Sequence, residues 1–177
     1  KERKPESVRT SGGSLTPDER VMVIAPHPDD ETLAAGELLA GAASRDIPIS
    51  VLFVTDGENN PWAQLACEGR WPFGPSDRRH WGARRHAEAR VALARLGVLD
   101  PAVRSLCLPD QHVTECLFDG GRGSVESLVS ALHSFRPTLL VVPSASDVHP
   151  DHSATALLVD LALARLDRGE SPRRILE

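Results

Sequence analysis

The stretch Val21-Met22-Val23-Ile24-Ala25-Pro26-His27-Pro28-Asp29-Asp30-Glu31 decides the fold. Its first half is apolar and rich in β-branched residues, which predicts a buried strand over 20–26. Residues 30–46 are rich in alanine and leucine at helical spacing, with Ala35, Leu38, Leu39 and Ala42 on one face and Leu33, Glu37 and Gly41 on the other. Acidic residues open this helix and Arg45 closes it, which suits the helix dipole, and Glu31 is assigned to that dipole. Strand, sharp turn and helix in this order form a unit of an open α/β sheet, in which ligands collect at the carboxyl ends of the strands. Prolines on both sides of His27 stiffen the turn and bias the histidine away from helical geometry. A rigid turn can hold an imidazole and a carboxylate three residues apart facing one point. The plainer role for Asp29 or Asp30 is to cap the helix.

Outward from this unit, three more apolar runs predict strands at 48–55, 103–108 and 138–143, and 173–177 reads as the opening of a fifth strand that is cut short. Helices are expected over 80–96, 124–135 and 153–167. The first of these places Ala83, Ala87, Val91 and Ala94 on a common spacing, with Gly97 as its stop, and Gly169 closes the last. Strands apolar on both faces and alternating with helices argue for a parallel α/β sheet covered on both sides. In between, 58–79 is irregular and rich in glycine and proline, and its Trp62 and Trp71 either line a pocket or pin the loop to the body. Residues 1–19 are expected as a flexible leader and 20–177 as a single domain.

Composition narrows the chemistry. The 177 residues contain no tyrosine, and Lys1 and Lys4 are the only lysines. A phenolic acid or nucleophile, a lysine Schiff base and a P-loop lysine are therefore all excluded within this chain. A net charge of -5 argues against non-specific nucleic-acid binding. Three cysteines, Cys67, Cys107 and Cys116, show no CxxC spacing, so neither a disulfide framework nor a thiolate zinc knuckle is expected. No apolar run approaches a membrane span, and no apolar segment follows the early charges as in a signal peptide. A cytoplasmic location is the expectation.

The fourth strand ends as the first does, in Asp147-Val148-His149-Pro150-Asp151-His152 ahead of a helix. Three of the seven histidines thus sit in two strand-to-helix turns. With a strand order of 3-2-1-4-5, strands one and four flank the switch point and both turns converge on one crevice. That convergence decides against simple capping. Two histidines and one carboxylate with spare positions form the pattern of a catalytic metal, most often zinc. Ferrous iron suits the same ligand set. Of two adjacent acids, one can ligate while the other faces water, and the unligated one is the better base. Metal-assisted hydrolysis of a carbonyl compound is the reaction class this supports.

These residues resemble the PIG-L/LmbE-like N-acetylglucosamine deacetylases. The resemblance rests on Ala25-Pro26-His27-Pro28-Asp29-Asp30-Glu31 and His149-Pro150-Asp151-His152, with lesser matches at Thr55-Asp56-Gly57, Arg85-His86-Ala87-Glu88 and Leu108-Pro109-Asp110. It runs from about Val21 to Ala164. It implies a Rossmann-like, mostly parallel sheet of order 3-2-1-4-5 with the metal site at the carboxyl ends of strands one and four. It implies further that His27, Asp30 and His152 bind Zn2+, that Asp29 is the general base, and that His149 stabilises the oxyanion and protonates the leaving amine with Asp151 behind it. Arg85 and Asp110 would contact the sugar. The implied reaction is removal of an acetyl group from an N-acetylated amino-sugar conjugate, a small-molecule partner, by a zinc-activated water.

Two features depart from the family pattern. Gln111 stands where many relatives have glycine, which changes the sugar subsite. Arg78, Arg79, Arg84, Arg85 and Arg90 form a cluster that suits an anionic substrate or, more simply, a solvated helix face. The competing function is a non-catalytic metal- or sugar-binding module of a larger protein. A dinucleotide-binding domain is excluded, because no GxGxxG follows the first strand and Asp29 and Asp30 would repel a pyrophosphate.

Overall fold

The computed structural model describes residues 8–9, 14–99, 102–118, 121–167 and 169–177. In chain order the elements are β1 (Val8–Arg9), β2 (Val21–Ala25), α1 (Asp30–Ala43), β3 (Ile49–Thr55), α2 (Pro61–Glu68), α3 (Pro75–Arg95), β4 (Val103–Leu108), α4 (Val113–Phe118), α5 (Arg122–Phe135), β5 (Leu139–Val141), α6 (Pro150–Leu163) and β6 (Arg174–Leu176). The strands form one sheet in the order β1-β6-β5-β2-β3-β4, with every pairing parallel. The five strands read from the sequence therefore lie in the expected order 3-2-1-4-5, and β1 adds an edge beside β6.

Strand pleating sorts the core into two layers. Met22, Ile24, Leu52, Val54 and Leu140 face α4, α5 and α6, where they meet Val113, Leu128, Leu132 and Leu158. Val21, Val23, Val51, Phe53 and Leu139 face the other way onto Ala35, Leu39, Ala89 and Leu93 of α1 and α3. Each fully buried aliphatic or aromatic side chain contributes about 1.5–3 kcal/mol of transfer free energy. The central strand β2 is buried along its whole length, as a strand with helices on both faces requires.

In α3 the helical period is as expected but its phase is not. Ala83, Ala87 and Ala94 are exposed and Val91 is 55% exposed, whereas the stripe turned inward is Trp81, Arg85, Ala89 and Leu93. One member of that stripe is an arginine serving the site, so an apolar count selects the wrong face. The region read as irregular, 58–79, contains α2 and the first turn of α3. Asn60 caps α2 by accepting the Ala63 N–H at 3.2 Å, and Gly69 ends it with φ 65. Trp62 and Trp71 are 77% and 62% exposed, so neither pins this segment to the body. Helix α6 begins at Pro150, which places Asp151 and His152 in its first turn, ahead of the expected start at 153.

Most of the expected leader, 1–7 and 10–13, lies outside the described residues. Within it, Val8–Arg9 pairs with β6, and 14–19 is held against the body. Glu19 is buried, accepts Thr16 N–H at 2.8 Å and pairs with Arg174 at 2.6 Å. No helix among the described residues is long and apolar enough to cross a membrane.

Candidate active site

Strands β2 and β5 are paired in parallel from Val21↔Leu139 to Val23↔Val141, so the turns that follow them leave the sheet at the same carboxyl end. The first turn is fastened by Pro26, whose carbonyl accepts both the backbone N–H and the hydroxyl of Thr55 at 3.0 Å. Asp29 occupies the N-cap position of α1 with φ 138 and makes no side-chain capping bond, so capping does not account for it. Its N–H donates to Glu31 Oε2 at 2.9 Å, and Thr32 Oγ1 donates to Glu31 Oε1 at 2.7 Å. Glu31 is fully buried, and burial pushes its carboxyl above the ordinary value. It holds the turn directly, beyond any interaction with the dipole. The Asp29 carboxylate meets Arg85 Nη2 at 2.7 Å, and burial raises it while the guanidinium opposes.

Asp30 is the hub. Its Oδ2 accepts the His27 N–H at 2.9 Å and lies 3.2 Å from both His27 Nδ1 and His152 Nε2. The far nitrogen of each imidazole is held by carboxylates. His27 Nε2 stands 3.2 Å from Asp110 Oδ1 and 3.3 Å from Asp151 Oδ2, and His152 Nδ1 stands 3.0 Å from Asp147 Oδ2. A carboxylate on one nitrogen with the other presented inward is how metal-binding histidines are oriented. Burial opposes charge on His27, yet the three surrounding carboxylates push it up to about 11. Asp30 holds His152 above its ordinary value against burial. Burial raises Asp30 as well, but the two imidazoles outweigh it and hold the carboxyl well below the usual range. The cluster stabilises positive charge at its centre.

His149 is the N-cap of α6, and its Nδ1 accepts the Asp151 N–H at 3.2 Å. The neutral ring then carries its proton on Nε2. The rings of His27, His149 and His152 have centroids 4.9–5.3 Å apart. Donor atoms of these three lie within 4.8 Å of one another, as do those of His27, Asp110 and Asp151.

His27, Asp29, Asp30, Arg85, Asp110, His149 and His152 share one cleft of about 210 Å3, with Asn60 and Gln111 completing the wall. Asp151 lies elsewhere than expected. Its side chain is fully buried and serves His27, accepting Gln111 N–H at 2.6 Å and Val113 N–H at 3.2 Å besides the imidazole, so it is not the side-chain partner of His149. Asp110 is 3% exposed and bound on three sides, by His27, by Asn59 N–H at 2.8 Å, and through its own N–H to Glu58 Oε1 at 2.9 Å. The arginine cluster divides. Arg85 turns into the cleft, while Arg78, Arg79 and Arg84 are exposed, Arg84 pairing with Glu88 at 2.8 Å.

Several contributors escaped the sequence reading. Asp147 accepts His149 N–H at 2.8 Å and fixes His152, and its position in the six-residue turn was the available signal. Glu58 leaves no such signal, because it sits in a stretch that reads as loop. Asp56 accepts from His86 at 2.7 Å and from Ser105 at 2.8 Å, as its place in Thr55-Asp56-Gly57 hinted.

Comparison with known proteins places this geometry. The PIG-L family, GlcNAc-PI de-N-acetylase, matches residues 22–163. A probable N-acetyl-alpha-D-glucosaminyl L-malate deacetylase 2 of Bacillus subtilis is 29% identical over 160 residues, covering 89% of this chain and 66% of that protein. A 1D-myo-inositol 2-acetamido-2-deoxy-alpha-D-glucopyranoside deacetylase of Nocardia farcinica is 28% identical over 167 residues, covering 84% and 53%. The chain thus spans between about half and two thirds of the length of these relatives. The N,N'-diacetylchitobiose deacetylase of Pyrococcus horikoshii shares the fold, with a TM-score of 0.66 at 20% identity over 82% of this chain and 49% of that one. With the match covering most of its length and both hallmark turns converging on one cleft, the chain belongs to the PIG-L, GlcNAc-PI de-N-acetylase family.

Proposed function

We propose that this chain hydrolyses the acetamide of an N-acetylglucosamine-type conjugate, using a divalent metal held by His27, Asp30 and His152. One observation carries the reading. Asp30 Oδ2 lies 3.2 Å from an inward nitrogen of each histidine while carboxylates hold the outward nitrogens. Ligand atoms on a tetrahedral ion at ~2.0–2.1 Å are roughly 3.4 Å apart, close to the 3.2 Å between Asp30 Oδ2 and each imidazole nitrogen. Fe2+ is accommodated by the same two-histidine, one-carboxylate set. When bound, such an ion supplies Lewis-acid polarisation and makes water acidic enough to attack at neutral pH.

The remaining work falls to side chains, as a chain without tyrosine and with only two lysines requires. Asp29 reaches the cleft unligated, its carboxyl raised above the ordinary aspartate value, and takes a proton from the attacking water. His149, with its proton on Nε2, donates a hydrogen bond to the developing oxyanion, and the proton that Asp29 took from the water passes to the leaving amine. Asp110, Asn60 and Gln111 form the polar wall toward the sugar, with Arg85 at its inner end. Asp147 and Asp151 orient His152 and His27. Relatives named for malate and inositol conjugates make both glucosaminides reasonable first substrates.

Metal analysis of purified protein combined with acetate release tests the proposal. About one ion per chain with metal-dependent acetate release is the expected result. A folded protein without metal affinity overturns it, and a metal-loaded protein that releases no acetate from any N-acetylglucosaminide favours a binding module.

A further inference from the structure

Asp29 is held by more than its place in the turn. With φ 138 it sits in a region that residues other than glycine avoid, and such strain persists only where the surroundings hold it. The buried Glu31 carboxylate fixes its backbone by accepting its N–H. Arg85 fixes its side chain. The Arg85 side chain is 13% exposed, and Nη2 donates both to Asp29 Oδ2 at 2.7 Å and to the carbonyl of Pro28, gripping the residue and the peptide before it.

The room for that grip comes from Gly57, at the end of the Thr55-Asp56-Gly57 segment. A Cβ there would lie 2.9 Å from Arg85 Nη1, 3.1 Å from Cζ and 3.1 Å from Pro28 Cδ. Gly57 also has φ 64, a conformation that favours glycine. The inward stripe of α3 exists to deliver this arginine. Trp81 is buried one turn before it and Ala89 and Leu93 one and two turns after it, anchoring the helix face.

We propose that Arg85 is a positioning residue for the general base, clamping the Asp29 carboxylate in line with the attacking water, and that Gly57 is required because it leaves the guanidinium its seat. This rests on the proposed deacetylase reading of the cleft. It assigns Arg85 primarily to the base and only secondarily to the sugar. A carboxylate displaced by about 1 Å loses on the order of 100-fold in rate through misorientation alone, without altering substrate affinity.

The test is a set of variants assayed as the metal-loaded protein. Arg85→Met is expected to keep its metal, to lower kcat by about 10–100-fold and to leave KM within about threefold. Added guanidinium ion should restore part of the loss, and Arg85→Lys should fall between Met and the unaltered protein. Gly57→Ala should reproduce the kcat loss with Arg85 in place. A thermal-unfolding cycle of Arg85→Met, Asp29→Asn and the double variant reads the pair independently of turnover, and the two single losses should not add. A rise in KM of tenfold or more at unchanged kcat, or strictly additive losses in the cycle, overturns the proposal. If the unaltered protein releases no acetate, the deacetylase reading fails while the cycle still decides whether Arg85 clamps Asp29.

Discussion

Replacing Asp151 with asparagine should damage fold and site together, and the structure fixes by how much. The carboxylate is fully buried and accepts three bonds, from Gln111 N–H at 2.6 Å, Val113 N–H at 3.2 Å and His27 Nε2 at 3.3 Å. An amide keeps one acceptor oxygen and turns an NH2 toward either Val113 N–H or the Gln111–His27 side. One backbone donor is then left facing another donor, at a cost of about 1–3 kcal/mol, and a charge-assisted bond of similar worth is lost. Part of this is recovered by local adjustment, so the net loss is expected at about 2–4 kcal/mol. For a domain of this size that corresponds to a fall in Tm of roughly 5–15 °C. Freed from one of its carboxylates, His27 should also weaken metal affinity by about 10–100-fold. Calorimetric unfolding and metal titration read the two effects. The control is Asp147→Asn, whose carboxylate is 33% exposed and serves His152, so it should weaken the metal comparably while lowering Tm much less. An Asp151→Asn protein that unfolds within 1 °C of the parent and binds metal equally well refutes the role assigned to this residue.

Other substitutions probe separate parts of the account. Asp29→Asn is expected to bind metal as the parent does and to lose about 100–10,000-fold in kcat, measured by acetate release at saturating substrate. Asp56 is held below the ordinary carboxylate value mainly by its bond from His86, so its stabilising effect is present above the unfolded value and vanishes as pH falls through the folded one. Asp56→Asn should therefore lower stability by about 1 kcal/mol at pH 7, with the gap to the parent closing as pH falls through the lowered folded value in denaturant titrations. Gly97 has φ 85, and a Cβ there would lie 2.9 Å from the Ala43 Cβ, whereas Gly69 has φ 65 and open space around it. Gly97→Ala should cost about 2–3 kcal/mol and Gly69→Ala about 1 kcal/mol, and equal losses would contradict the packing described between α1 and the end of α3.

The parts of the fold that were legible in the sequence are those set by the hydrophobic pattern. The runs ending at Ala25, Thr55 and Val141 are buried on both faces, as a covered parallel sheet requires, the run ending at Leu108 is the partly exposed edge strand β4, and the observed order follows. Helix phase was legible in α1, where Ala35, Leu39 and Ala42 are buried, and illegible in α3, where Arg85 occupies the inward stripe. Alanine contributes to the error, because it favours helix on either face and marks burial poorly. The helix at Pro61–Glu68 was hidden by flanking proline and glycine, which mark its first turn and its cap and were read as loop. At the site, the turns disclosed the residues that reach the cleft, because their chemistry is unusual at that spacing. What holds those residues comes from distant segments. Glu58 reaches Asp110 across 52 positions and Asp151 reaches His27 across 124, and no local pattern carries such pairings. Gln111 is a case between the two. Its φ of 64 lies in the region that favours glycine, and its side chain reaches across to the Asn59 carbonyl at 2.6 Å.

In the proposed site one metal ion sits between Asp30 and the inward nitrogens of His27 and His152. Other donor sets surround His27, which clusters with His149 and His152 and, on its Nε2 side, with Asp110 and Asp151. Anomalous scattering from crystals of zinc-reconstituted protein, recorded on both sides of the zinc edge, separates them directly. A single anomalous peak bounded by His27 Nδ1, Asp30 Oδ2 and His152 Nε2 is the predicted result. A peak on the Asp110–Asp151 side of His27, or none near either histidine in protein shown to be folded, contradicts it.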